Sequence, residues 1–119
     1  MKDFVSIEKK IWEEKKKYFE NYLEWGKIIK DISQKFLGRR VRVLIFGSVV
    51  KGEWAPNSDI DVLIISPKLS KNWIKNRKIR TEIKKFIDPT SPFQIHLAHP
   101  DEFKLWWKKF IKKDYIEIK

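Results

Sequence analysis

Two short groups of residues in the stretch "FGSVVKGEWAPNSDIDVLI" (Phe46 to Ile64) have the types and spacing to do chemistry. Gly47 ends an apolar run and Ser48 opens a helical turn. Backbone N–H groups freed at such a turn, with a hydroxyl beside them, suit an anion such as a phosphate. Asp59 and Asp61 stand two apart at the head of the next apolar run. On a strand, that spacing puts both side chains on one face. Adjacent carboxylates repel, and an unpaired buried one is costly. The pair therefore asks for a cation. Hard oxygen ligands of this kind suit Mg2+, which keeps waters and takes its remaining ligands from substrate phosphates. A second metal ion about 3.5–4 Å from the first would activate an attacking hydroxyl and steady the leaving oxygen. The plainer alternative has Asp59 capping a turn after Asn57 and Ser58, with Asp61 at the solvated end of a strand.

A phosphate-binding loop of the Walker A kind is excluded. Gly47 and Gly52 have the first spacing it needs, but Glu53 and Trp54 occupy the places of its Lys and Ser/Thr.

These residues need a scaffold, and the hydrophobic pattern supplies one. Ser6 is placed to cap a helix starting at Ile7. Ile11, Tyr18, Tyr22, Trp25, Ile29, Ile32 and Phe36 recur at helical spacing, which predicts one long amphipathic N-terminal helix. Gly26 would mark a bend and Gly38 the C-cap. Val41 to Phe46 reads as a strand, and "GSVVKGEW" as a short helix or turn. Ile60 to Ser66 is a second strand, apolar on both faces after Asp61 and so central in its sheet. Asn72 to Ile87 carries apolar residues at helical spacing. "FQIHLA" (Phe93 to Ala98) alternates, with Phe93, Ile95 and Leu97 on one face and Gln94 and His96 on the other. "DEFKLWWKKFI" after Pro100 is a final helix, in which Asp101 and Glu102 favour the positive N-terminal end. His99 is a loop residue before it, and "DYIEIK" fits no single assignment. The order predicts an α/β (α+β) domain over 1–119, with a small mixed sheet of three to four strands flanked by helices. Within it, 1–38 is a helical segment and 41–110 the motif-bearing core.

The chain has 119 residues, 42% of them hydrophobic, which suits one modest core. It has no cysteine, so disulfides and thiolate metal sites are excluded. No apolar run reaches the roughly 20 residues that span a bilayer. The charged N-terminal stretch does not resemble a signal peptide, so a cytoplasmic location without membrane contact is expected. The net charge of +11 has two sources to weigh. A Lys- and Glu-rich, cysteine-free surface is typical of hyperthermophile proteins. The excess of positive charge also fits a polyanionic substrate or partner.

The combination of strand, Gly-Ser, and "DID" leading into a second strand resembles the signature of the polymerase-β-type nucleotidyltransferases. In particular it is similar to the minimal nucleotidyltransferases of prokaryotes, the antitoxin-like partners of HEPN-domain proteins. The matching residues are Phe46, Gly47, Ser48, Gly52, Ser58, Asp59, Ile60 and Asp61. The resemblance implies a polymerase-β-like palm fold and a nucleoside triphosphate as substrate. It implies that Gly47 and Ser48 hold the β- and γ-phosphates, that Ser58 belongs to the same nucleotide-binding loop, and that Asp59 and Asp61 bind Mg2+. Lys51 is within reach of a phosphate. A third carboxylate, serving as base, is expected from the next strand. Here Gln94 stands in its place, and an amide cannot accept a proton as a base. His96, on the same face, can ligate a metal or act as base.

Two functions from different classes follow. One is an Mg2+-dependent enzyme that transfers a nucleoside monophosphate, AMP from ATP, to a hydroxyl on a protein or small molecule. The other is a binding module that has kept the fold and lost turnover, partnering a HEPN-like protein. Nucleic-acid binding through the lysine-rich first helix is a third reading. A core this small has little surface to grip both substrates, so a second subunit or a protein partner is expected, with the N-terminal helix as the contact.

Overall fold

Pattern and long-range packing together set the architecture, seen here in a computed structural model that describes residues 4–119. Helix α1 (Phe4–Glu20) and helix α2 (Tyr22–Leu37) come first. Strand β1 (Arg42–Phe46), strand β2 (Ile60–Ile65), helix α3 (Arg77–Lys85) and strand β3 (Phe93–Ala98) follow. A helical run then passes through α4 (Pro100–Glu102), a π-helical turn (Phe103–Trp107) and α5 (Lys108–Ile111), before strand β4 (Tyr115–Glu117). The sheet order is β3-β2-β1-β4. β1 runs antiparallel to β2 and β4, while β2 and β3 are parallel. No helix among the described residues is long and apolar enough to cross a membrane.

β2 is central, as its sequence predicts, and Val62, Leu63 and Ile64 are fully buried. Its alternation divides the core in two. Ile60, Val62 and Ile64 join Val43, Ile45, Phe93 and Ile95 in a core that also takes Tyr18, Phe19, Ile29 and Leu37 of α1 and α2 and Ile83 of α3. On the other face Leu63 and Ile65 pack with Leu44, Phe46, Ala98, Phe103 and Ile111. Asp61 shares the parity of Leu63 and Ile65, so it lies on the face that the C-terminal helical run covers.

The N-terminal prediction of one long helix is corrected to two. The break falls at Asn21, where the backbone leaves helical geometry (φ −118°, ψ 31°) and Nδ2 donates to the carbonyl of Lys17. Ser6 lies inside α1 rather than at its start. α2 runs unbroken through Gly26. A Cβ there would lie 2.6 Å from Ile118 Cδ1 and 2.8 Å from Ile45 Cδ1, so glycine lets α2 press directly on the sheet. Gly38 does end α2, with φ 84° and its N–H donating to Gln34 O.

The segment after Ser48 forms successive turns and no helix, with Gly52 at φ 73°. The helix expected over 72–87 is shorter, because polar side chains capture the backbone ahead of it. Asn76 is buried and holds Ser70 through both its amide atoms, and Asn72 Oδ1 accepts from the N–H of Ile74. Trp73 and Ile74 are left exposed by that turn.

The ambiguous tail is β4, and one ion pair clamps it. Arg42 donates to both carboxylate oxygens of Glu117 (Nε to Oε2 3.1 Å, a terminal nitrogen to Oε1 2.8 Å). Hydrogen bonding to Arg42 lowers the Glu117 pKa. A carboxylate with a depressed folded-state pKa stabilises above its unfolded value and loses that contribution as pH falls through the folded one. Acidification below about pH 4 is therefore expected to free β4 before the central strands. Amide hydrogen exchange at Ile116 and Ile118, followed against pH, checks this. Exchange there that accelerates only together with Leu63 would contradict it.

Candidate active site

The site is built where β1 ends and β2 and β3 begin. Phe46, Asp61 and Gln94 stand in line across three strands, because Phe46 pairs with Asp61 and Asp61 with Gln94. Gly47 follows at once with φ 88°, a left-handed conformation that glycine adopts without steric cost. It also makes room: a Cβ at Gly47 would meet Asp61 Oδ2 at 2.8 Å. The half-buried Asp61 carboxylate thus leans on the bare backbone of the Gly-Ser turn. That turn is held by its own hydrogen bonds, from Val50 N–H to Gly47 O and from Glu53 N–H to Ser48 O.

The other oxygen of Asp61 meets a ring. His96 Nε2 lies 3.3 Å from Asp61 Oδ1, across the β2–β3 ladder. The imidazole is set further by two aromatic neighbours, Phe46 at 5.8 Å and Trp107 at 5.2 Å between centroids. Trp107 comes from the π-helical turn, an irregularity frequent at functional sites. Gln94 points from the same face and is exposed.

Asp59 immediately precedes β2 and is exposed. Its loop is braced from within and from the N-terminus. Ser58 Oγ accepts from the N–H of Ala55, Lys15 Nζ donates to Pro56 O, and Trp54 stacks on Phe19 of α1 at 5.2 Å. Ser58 is therefore a loop brace in this structure. Lys51 Nζ lies 3.6 Å from the carboxylate of Asp114, an ion pair on the surface. His99 caps α4: its Nδ1 accepts from Asp101 N–H while Glu102 accepts from His99 N–H.

Among the described residues, no three His, Asp or Glu side chains form a ready cage for a metal. Mg2+ does not need one, since one or two carboxylates plus substrate phosphates hold it. Asp59 and Asp61, with the space that Gly47 leaves beside Asp61 Oδ2, fit that mode of binding.

Sequence reasoning did not find the Asp61–His96 contact, because strand register decides it, nor the part played by Trp107. It also missed a cleft next to His96. Trp73, Asn76, Arg77 and Arg80 form one wall and Trp107 the other. The pair Arg77 and Arg80, three apart after an exposed Trp, was the available signal.

Comparison with known proteins bears on the family and the fold. The family model for the nucleotidyltransferase domain matches residues 26–118. That range takes in most of α2 and all of β4. A solved protein from Sulfolobus solfataricus assigned as a nucleotidyltransferase shares the fold, with a TM-score of 0.60 and 21% identity over 85% of this chain and 82% of its own. A second solved protein, also assigned as a nucleotidyltransferase, is 33% identical over 78% of this chain and 96% of its own, with a TM-score of 0.52. No curated protein matches. These matches support nucleotidyl transfer as the function and a minimal member as the type, and the chain belongs to the nucleotidyltransferase domain family.

Proposed function

We propose that the chain transfers a nucleoside monophosphate, AMP from ATP, to a hydroxyl on a protein or small molecule, in an Mg2+-dependent reaction. The observation that carries this reading is the placement of Asp61 between Gly47 and His96. Backbone donors of the Gly47–Ser48 turn face the triphosphate. Asp59 and Asp61 hold the metal, which when bound neutralises phosphate charge. Gln94 offers a neutral oxygen. His96, oriented by Asp61 and packed on Trp107, takes the proton that Gln94 cannot. The test is transfer of label from [α-32P]ATP to candidate acceptors with Mg2+, against the Asp59→Ala, Asp61→Ala double variant. Equal labelling by the two proteins would refute the proposal.

Gln94→Glu is expected to raise both Mg2+ affinity and transfer. One unit charge about 4 Å from another is worth about 1 kcal/mol even in bulk water, and a divalent ion doubles this, so the gain is about tenfold or more. Calorimetry and initial rates check it. If neither changes, Gln94 does not occupy the third-ligand place.

Exposed Leu105, Trp106 and Phe110 favour a second reading, a binding module for a HEPN-type protein, or for a second copy of the chain. Trp106 and Phe110 stack at 5.2 Å with planes 9° apart, a flat apolar surface beside the site. Light scattering on the chain, alone and with a candidate partner, separates these. A monomer whose Asp59→Ala, Asp61→Ala variant still neutralises the partner supports the module over the enzyme.

A further inference from the structure

The cleft beside His96 has a composition of its own. Its volume is about 170 Å3, and it is lined by Trp73, Asn76, Arg77, Arg80, His96 and Trp107, with Ile95 and Leu97 of β3 behind them. The Arg77 guanidinium lies over the Trp73 ring at 5.5 Å, and that indole is 64% exposed. Among the described residues, Arg77 and Arg80 have no carboxylate partner, whereas Lys51, Lys71 and Arg42 do. Two cations without a carboxylate partner, three residues apart on α3 and beside the exposed indole of Trp73, recognise phosphate next to a planar ring.

Position gives the cleft a role. Gly47 stands at the end of β1, Asp61 on β2, and the cleft on β3, and strands lie about 4.8 Å apart. The cleft and the Gly-Ser turn are therefore on opposite sides of Asp61, about 10 Å apart across the sheet. In-line displacement at phosphorus needs the attacking and leaving oxygens on opposite sides. With the triphosphate on the Gly47 side, the acceptor enters from the cleft.

Resting on the nucleotidyl-transfer reading above, we infer that this cleft is the acceptor subsite and that its ligand is a nucleotide. Its phosphate sits on Arg77 and Arg80, its base on Trp73, and its ribose hydroxyl faces His96 and Asp61. The hydroxyl oxygen bonds to the α-phosphorus of the donor, and the bond from that phosphorus to the pyrophosphate oxygen breaks. Pyrophosphate leaves with the electron pair, and the hydroxyl proton passes by way of His96 to the medium. The same chemistry is offered by a free mononucleotide and by the terminal nucleotide of a strand.

The test is calorimetry of the full chain, saturated with a non-hydrolysable ATP analogue and Mg2+, and titrated with AMP. Trp73→Ala and the double variant Arg77→Ala, Arg80→Ala change exposed residues, so the fold is retained. Each is expected to weaken AMP binding about tenfold while analogue affinity stays within about twofold. AMP affinity unchanged in both variants would overturn the inference. So would inorganic phosphate binding as tightly as AMP. A short single-stranded oligoribonucleotide with a free 3′ hydroxyl is the second probe. Tighter binding than AMP identifies a strand end as the source, and equal or weaker binding a free nucleotide. Wild-type transfer of label to AMP distinguishes failure of the cleft from failure of the enzyme. Arginine-dependent AMP binding without transfer removes the acceptor role. Transfer to another acceptor with AMP binding indifferent to the variants removes the cleft and leaves the enzyme standing.

Discussion

Asp61→Asn is expected to lower nucleotidyl transfer by about a thousandfold with little change in thermal stability. The substitution keeps shape and removes one charge. In the folded protein that charge has three neighbours, the Gly47 backbone, His96 and the start of β3. Catalysis of this class relies most on electrostatic stabilisation where charge develops, and removing one group that supplies it costs about 10²–10³ in rate. The amide leaves a cation with one anionic ligand and removes the carboxylate that orients the His96 ring. Single-turnover rates with Mg2+ and labelled ATP measure the first effect, and thermal melts the second. A rate within about tenfold of wild type would mean that Asp61 supports structure and not transfer.

Gly47→Ala is expected to reduce transfer by about a hundredfold and stability by about 1–2 kcal/mol. The stability cost follows from φ 88°, where an L side chain crowds the following carbonyl. The activity cost follows from the added methyl group, whose carbon would meet Asp61 Oδ2 at 2.8 Å. Asp61 is half-buried and already touches His96, so the carboxylate must shift away. A displacement of about 1 Å in a reacting group costs on the order of a hundredfold. Urea unfolding and transfer rates on one preparation separate the two effects. A variant with the stability loss and full activity would show that Gly47 is needed for the turn alone.

The sequence made some of this legible and concealed the rest for physical reasons. β3 was readable residue for residue, because apolar Phe93 and Ile95 alternate with polar Gln94 and His96 and one face is buried. Central placement of β2 was readable from its apolar run. The same logic put Asp61, Gln94 and His96 on one face, but it could not say that His96 touches Asp61. That contact joins residues 35 apart and depends on parallel register. The N-terminal split at Asn21 was hidden because the apolar stripe runs on through it with the spacing almost unbroken. Gly26 looked like a weak point for a helix and is a packing device, which only the approach of Ile45 and Ile118 reveals. Asn76 was hidden in the same way, since its hydrogen bonds to Ser70 form only in the folded turn. β4 has three residues, and its clamp, Arg42, is 75 positions away from Glu117.

Binding of a non-hydrolysable ATP analogue, measured by calorimetry with and without Mg2+, tests the central claim without any acceptor. The account predicts one site per chain, tight only with Mg2+, and lost in the Asp59→Ala, Asp61→Ala variant although its melting profile is that of a folded protein. Binding of equal strength without Mg2+, or unchanged by removal of both carboxylates, would contradict it.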